Sequence, residues 1–409
     1  MKVSLIHFGA RCSDPCRFPS PAYEESMTFE FATTTRILFG CGQISQLAES
    51  ALPFGNQALV VMGKNPNRHD SVIDSLRQSG LSVNIFSIAG EPTIDDIIQG
   101  TDLAKKTAAQ IIIGLGGGSV IDAGKAISAM SRQPEDLWHY IEIVGKGRPL
   151  TVTPLPYIAI PTTAGTGAEV TRNAVLSSPE HGVKASLRHA SMLPRLAIID
   201  PELTLQCPPD ITAASGMDAF VQCLEAYVSC RANPLTDALC LSGIEHCVRS
   251  LEKVVFDGSN TKARTDIAYA AMLSGMALAN AGLGAVHGFA APIGGAFHAP
   301  HGAICAALIA PVWAANLEAV YKMGNSVAMN RFTTAARMMT GEPTAPAQAA
   351  VSYLKELTRK LSIPPLQHWG IQECHLDEIT TKAAASSSMK GNPVQLNNTT
   401  LRNILADSL

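Results

Sequence analysis

From Thr34 onward the hydrophobic positions alternate between short continuous runs and longer stretches with helical spacing. Residues 58–62 form an unbroken apolar run between turn-forming residues, the mark of a parallel strand buried on both faces. An apolar stretch at 36–39 and a helix over 44–50 precede it. A helix over 70–79, a strand over 81–88, a helix over 94–109 and a strand over 110–114 follow. This βαβαβ order predicts an open parallel sheet with helices on both faces. Residues 197–199, before Asp200-Pro201, read as the last strand, and beyond Leu205 the spacing is helical nearly to the end. The expected organisation is an α/β unit with a Rossmann-like parallel sheet over 27–204, followed by an all-α unit over 205–409. Residues 1–26 show no sustained apolar run or cleavage pattern and read as an extension with no assigned role, either an upstream start or a loosely packed leader.

Composition narrows the class. A chain of 409 residues can bury a large core, and 46% hydrophobic with 16% charged residues describes a globular protein. The net charge of −3, with no basic stripe or interleaved aromatics, argues against a nucleic-acid partner. Ten scattered Cys without a CxxC pair read as reduced thiols of a cytoplasmic protein. The most apolar region, 281–315, carries His287, His298 and His301 with several Pro and Gly, so a buried helix pair is expected there and not a membrane span.

Two glycine- and threonine-rich turns carry candidate cofactor chemistry. The predicted strand at 110–114 runs into Gly116-Gly117-Gly118-Ser119, with Asp122 and Lys125 on the helix that follows. Glycines between a strand and a helix start let backbone N–H groups approach an anion, as a pyrophosphate cradle does, although plain tight turns use the same residues. The spacing is not that of a P-loop, because Ala126 follows Lys125 where a magnesium-binding hydroxyl is needed. Thr162, Thr163 and Thr166 crowd a second turn, where hydroxyls can hold ribose or phosphate oxygens or simply cap a helix.

The candidate metal chemistry lies between Thr212 and His301. Asp218 and Gln222 are four residues apart and share a helix face, while Pro292, Gly294, Gly295 and Pro300 are expected to break the chain between His287 and His301. A single His in an apolar helix is ordinarily a hydrogen-bonded core residue. Two His across a helical corner with few other polar neighbours need a stronger reason to be buried. One carboxylate, one amide oxygen and two imidazoles would suit a divalent first-row metal, iron or zinc.

Taken in order, Gly116-Gly-Gly-Ser119-x-x-Asp122-x-x-Lys125, Ile160-Pro-Thr-Thr-Ala-Gly-Thr-Gly-Ala-Glu-Val-Thr171, Asp200-Pro201, Gly216-Met-Asp218 and the His287–His301 segment resemble the iron-containing, or group III, alcohol dehydrogenase family. The resemblance runs from about Thr34 to the C-terminus. It implies a dinucleotide-binding α/β domain, a helical domain, a metal between them, and hydride transfer between a nicotinamide and a small alcohol or aldehyde. It also implies a homodimer as the family's usual habit. On this sequence it assigns Gly117, Gly118 and Ser119 to the pyrophosphate, with Asp122 nearby. Thr162, Thr163, Thr166 and Asn173 fall along the cofactor, Lys184 near the nicotinamide ribose, and Asp218, His287 and His301 on the metal.

Three departures qualify the resemblance. Gln222 stands where the family usually has a third His, which weakens the metal site or reduces it to three protein ligands, as in the related glycerol dehydrogenases. Ala291 stands where a proton-relaying His is common, with His298 the only nearby substitute in sequence. Gly63 replaces the acidic residue that holds ribose hydroxyls in NAD-preferring members, and with Lys64 and Arg68 close by it favours NADP over NAD. Phe289, Phe297 and Ala291 are expected to leave the substrate pocket apolar and roomy. Rival readings are a metal-free or weakly metal-bound oxo-acid reductase of maleylacetate reductase type, a metal-dependent lyase resembling dehydroquinate synthase, and a catalytically silent nucleotide-binding protein.

Overall fold

The computed structural model describes residues 28–297 and 299–409, so the extension at 1–26 and His298 lie outside the described residues. Its strands are β1 (Ile37–Phe39), β2 (Gln57–Gly63), β3 (Ser82–Ile88), β4 (Ile111–Gly116), β5 (Tyr157–Pro161), β6 (Asn173–Ser178), β7 (Val183–Arg188) and β8 (Leu196–Ile199). Six form one sheet in the order β1-β8-β5-β4-β2-β3, every pair parallel. The continuous apolar runs are explained by burial on both sides. Leu59, Val61 and Ile112 pack under helices α3 (Ile94–Lys106) and α4 (Gly118–Met130), while Ala58, Val60, Met62, Ile111 and Ile113 pack on the opposite face under α1 (Leu47–Ala51) and α2 (Asp70–Gln78).

Strand order creates a crevice at one edge of the sheet. The chain leaves β2 for β3 on one side and leaves β4 for β5 on the other, so the direction of winding reverses between β2 and β4. In open α/β sheets ligands bind beyond the carboxyl ends of strands at such a reversal. Met62 pairs with Leu115, which sets Gly63 beside Gly116 at that edge.

The sequence pattern missed β6 and β7. They form an antiparallel hairpin with alternating burial, turned by Gly182 at φ 62°, a conformation that suits glycine. A fully buried lysine anchors it: Lys125 Nζ donates to Asn173 O at 2.6 Å, Ala168 O at 2.7 Å and Thr171 Oγ1 at 3.0 Å, and pairs with Asp122 at 3.3 Å. One cation thus ties α4, the threonine-rich turn and the hairpin together.

Beyond β8 the chain is helical: α5 (Pro209–Val228), α6 (Pro234–Phe256), α7 (Thr261–Ala281), α8 (Ala285–Phe297), α9 (His301–Lys322), α10 (Ser326–Thr340), α11 (Ala349–Lys360), α12 (Leu376–Ala384) and α13 (Asn398–Ala406). Every residue of α5 from Gly216 to Val228 is buried, enclosed by α6, α7 and α9. Helix α9 is long and apolar enough to cross a membrane, yet 67% of its most apolar stretch is buried within the protein. The expected break between the two His comes later than its prolines and glycines suggested. Pro292, Gly294 and Gly295 lie inside α8, and the chain turns only after Phe297. Burial of Ile293 and Gly294 in the helical core carries the helix past them.

The sheet and the helices meet through glycine. A Cβ on Gly167 would lie 2.5 Å from Gly275 Cα on α7, and one on Gly165 would lie 2.7 Å from Ser215 Cβ on α5. The threonine-rich turn therefore touches the backbones of two core helices. Beside Gly167, Glu169 is buried, and burial raises its carboxyl pKa from 4.5 to about 7 against the opposing pull of its own backbone N–H and of Lys125. The folded state therefore holds a proton that the unfolded chain gives up between pH 4.5 and about 7. Stability should be full below that window and fall across it by up to about 3 kcal/mol. Urea unfolding at pH 5 and pH 8 tests this: Glu169→Gln should lose most of the pH dependence, and an unchanged slope would assign it to other groups.

Candidate metal centre and cofactor cleft

Helix α5 carries Asp218, Gln222 and Glu225 at the i, i+4 and i+7 positions of one stripe, all three buried. Glu225 reaches the start of α8, where unpaired backbone donors and the helix dipole favour a carboxylate. Its Oε1 accepts from Val286 N at 2.7 Å, and its Oε2 pairs with His287 Nδ1 at 2.6 Å. Asn392 Oδ1 accepts from Ala285 N at 3.1 Å, completing the cap. With Nδ1 bonded to Glu225, Nε2 of the His287 ring is turned toward Asp218 and lies 3.2 Å from its Oδ1. A carboxylate behind a histidine is the arrangement that orients metal-binding imidazoles.

His301 is the first residue of α9, its Nε2 3.6 Å from Asp218 Oδ1. The approach of α9 to α5 depends on the next residue, because a Cβ on Gly302 would lie 2.1 Å from Ala214 O. One turn further on, Cys305 Sγ lies 3.7 Å from both His287 Nε2 and His301 Nε2. The four donor atoms of Asp218, His287, His301 and Cys305 all fall within 4.8 Å of one another. His301 keeps 36% of its side chain accessible, which opens the cluster on one side.

The electrostatics suit a dication. Burial opposes charge on His287 and His301, but Cys305 and Asp218 raise the pKa of both rings, that of His287 well above the usual imidazole value. Asp218 sits below the usual carboxylate range despite burial, held there by the two His. A centre that favours positive charge this strongly, with two imidazole nitrogens and a carboxylate converging, fits a divalent first-row metal. The Gln222 amide oxygen accepts from Ser274 Oγ at 2.8 Å, and Gln222 helps to hold the Asp218 pKa down.

The other expected positions divide into two groups. Gly117 caps α4, and Thr162 N donates to Gly116 O at 2.9 Å, bringing the two turns edge to edge. A Cβ on Gly118 would lie 2.8 Å from Thr166 Oγ1, and one on Gly117 3.4 Å from Thr163 Oγ1. Gly63, Gly117, Gly118, Ser119, Thr162, Thr163 and Thr166 therefore lie at the carboxyl edge of neighbouring strands. Asp122, Asn173 and Lys184 belong to the hairpin side. Asp122 Oδ2 accepts from Val175 N at 3.0 Å, Asn173 O serves Lys125, and Lys184 Nζ pairs with Glu91 at 2.5 Å. Lys184 also abuts α8, where a Cβ on Gly294 would lie 2.8 Å from its Nζ.

Two pocket expectations change. Phe289 is fully buried in the helical core and lines no cleft, because two residues past His287 the helix has turned to its opposite face. Phe297 meets His375 edge-on at 5.0 Å, and Ala291 is exposed. The residues that sequence reasoning overlooked are Glu225 and Cys305. Both could have been found from helical spacing, Glu225 seven residues after Asp218 and Cys305 four after His301.

Comparison with known proteins agrees with this geometry. The family described as iron-containing alcohol dehydrogenase matches residues 34–201, and the Fe-containing alcohol dehydrogenase family, C-terminal part, matches 212–409. Choline dehydrogenase of Bacillus subtilis (strain 168) is 32% identical over 375 residues, covering 90% of this chain and 92% of its own. The 1,3-propanediol dehydrogenase of Citrobacter freundii is 34% identical, covering 89% and 95%. The crystal structure of a 1,3-propanediol oxidoreductase superposes with a TM-score of 0.87 at 32% identity, covering 94% of this chain and all of its own. With both halves of the pattern and the fold in agreement, the chain belongs to the iron-containing alcohol dehydrogenase family.

Proposed function

We propose that the protein is a metal-dependent oxidoreductase that transfers hydride between NAD(P)H and a small aldehyde or alcohol. The observation that carries this reading is the convergence of Asp218, His287 and His301 from three helices on one point. A divalent metal held there would polarise a carbonyl oxygen, and a nicotinamide would supply or accept the hydride. Glu225 fixes the His287 tautomer and rotamer, so that Nε2 is oriented before any ligand arrives. Gly117, Gly118 and Ser119 offer backbone donors at the N-terminus of α4 to a pyrophosphate, and Thr162 and Thr163 border its path. The threonine-rich turn and α5 are in backbone contact at Gly165, which sets the distance between cofactor and metal residues. The partly accessible edge of His301 leaves room for a small alcohol.

Gly63 favours NADP. No heavy atom lies within 4 Å of where its Cβ would be, and among the described residues Lys64 and Arg68 are exposed and form no ion pair, so a 2′-phosphate meets space and positive charge.

Three outcomes are expected. NADPH oxidation with small aldehydes should disappear on chelation and return with added iron or zinc; turnover indifferent to chelation would instead favour a metal-free oxo-acid reductase. Glu225→Gln should weaken metal retention, read by elemental analysis after dialysis, by about 10–100-fold while the fold persists; full retention would reduce Glu225 to a helix cap. Arg68→Ala should raise the KM for NADPH by about tenfold and leave that for NADH unchanged. Equal effects on both cofactors would remove the case for a 2′-phosphate site.

A further inference from the structure

We propose that Cys305 is the fourth protein ligand of the metal centre, bound as a thiolate, and that it makes the centre select zinc over ferrous iron. The inference rests on the metal-dependent reading above and concerns which atoms hold the ion. Cys305 is fully buried, one helical turn after His301, and its Sγ is equidistant at 3.7 Å from both imidazole Nε2 atoms. Zinc–nitrogen bonds of about 2.0–2.1 Å and zinc–sulfur bonds of about 2.3 Å give tetrahedral N···S edges of about 3.6 Å and N···O edges of about 3.3 Å. The observed edges are 3.7 Å from sulfur to each nitrogen, and 3.2 and 3.6 Å from the two nitrogens to Asp218 Oδ1. Four of the six donor–donor edges thus fall near those of a tetrahedron with sulfur at one corner, and all four donor atoms lie within 4.8 Å of one another.

Gln222 is engaged elsewhere. Its oxygen receives the Ser274 hydroxyl at 2.8 Å, and the fourth corner falls to Cys305. On binding, the Cys305 thiol releases its proton to solvent and the thiolate bonds the ion. Sulfur also tilts selectivity, since thiolate is a soft donor that suits zinc and zinc exceeds ferrous iron in intrinsic affinity.

The test uses the full-length protein stripped of metal and reloaded with cobalt(II). The expected result is a near-ultraviolet sulfur-to-cobalt charge-transfer band that is lost in Cys305→Ser and kept in Cys223→Ser, whose thiol is buried on α5 outside the donor cluster. Competition between equal zinc and iron(II) should leave zinc in the wild type and shift the ratio toward iron by at least about tenfold in Cys305→Ser. The cadmium-113 resonance of the cadmium-loaded wild type should lie downfield of the range for purely nitrogen and oxygen ligands, a reading that needs no variant to fold. Cobalt ligand-field bands without charge transfer, or a cadmium resonance in the nitrogen–oxygen range, would overturn the Cys305 assignment and leave the dehydrogenase reading intact. Failure to take up cobalt at all would overturn both.

Discussion

Two carboxylates on one fully buried helix set the terms for everything around them. Asp218 and Glu225 lie in a stretch of α5 where no residue reaches solvent, and an unpaired carboxylate there would cost several kcal/mol. Glu225 is satisfied by the N-terminus of α8 and by His287, and Asp218 by His287 and His301. Helix α8 leaves α7 at 101°, and at that corner its first backbone donors meet Glu225. The corner, the orientation of the imidazoles and the gathering of donors are one solution to one desolvation problem.

The sheet solves a different problem by the same means. At the carboxyl edge of the sheet the glycines after β4 leave backbone N–H groups free of side chains, and the second turn is held against them. Lys125 does this from below with donors to three carbonyl or hydroxyl oxygens. Burying a lysine that deeply keeps the turn, the hairpin and α4 in fixed register, so the acidic residues around it, Asp122 and Glu169, carry raised pKa values through their own burial.

Much of this was legible in the sequence. The doubly buried strand at 58–62 announced itself as an unbroken apolar run, and the βαβαβ pattern pointed to an open parallel sheet, whereas the order of its strands is seen only in the structure. The hairpin was not read because Asn173–Ser178 is short and offers only three alternations. At the metal centre, Asp218, His287 and His301 stood out because imidazoles are conspicuous in an apolar helix pair. Cys305 did not, since cysteine is itself a common core residue and nothing in a one-dimensional pattern separates a buried thiol that faces two histidines from one that faces leucine. Gln222 shows the reverse: its position marked it as a donor to the metal, but which way its amide turns depends on Ser274, a residue 52 positions away.

The glycine pair at 167 and 275 has a consequence for lineage. Each residue forbids a side chain on the other, because a Cβ on either would fall within 2.8 Å of the other's backbone. A chimera that joins this sheet to the helices of a relative is viable only if both positions arrive as glycine. The two halves are therefore not freely interchangeable modules.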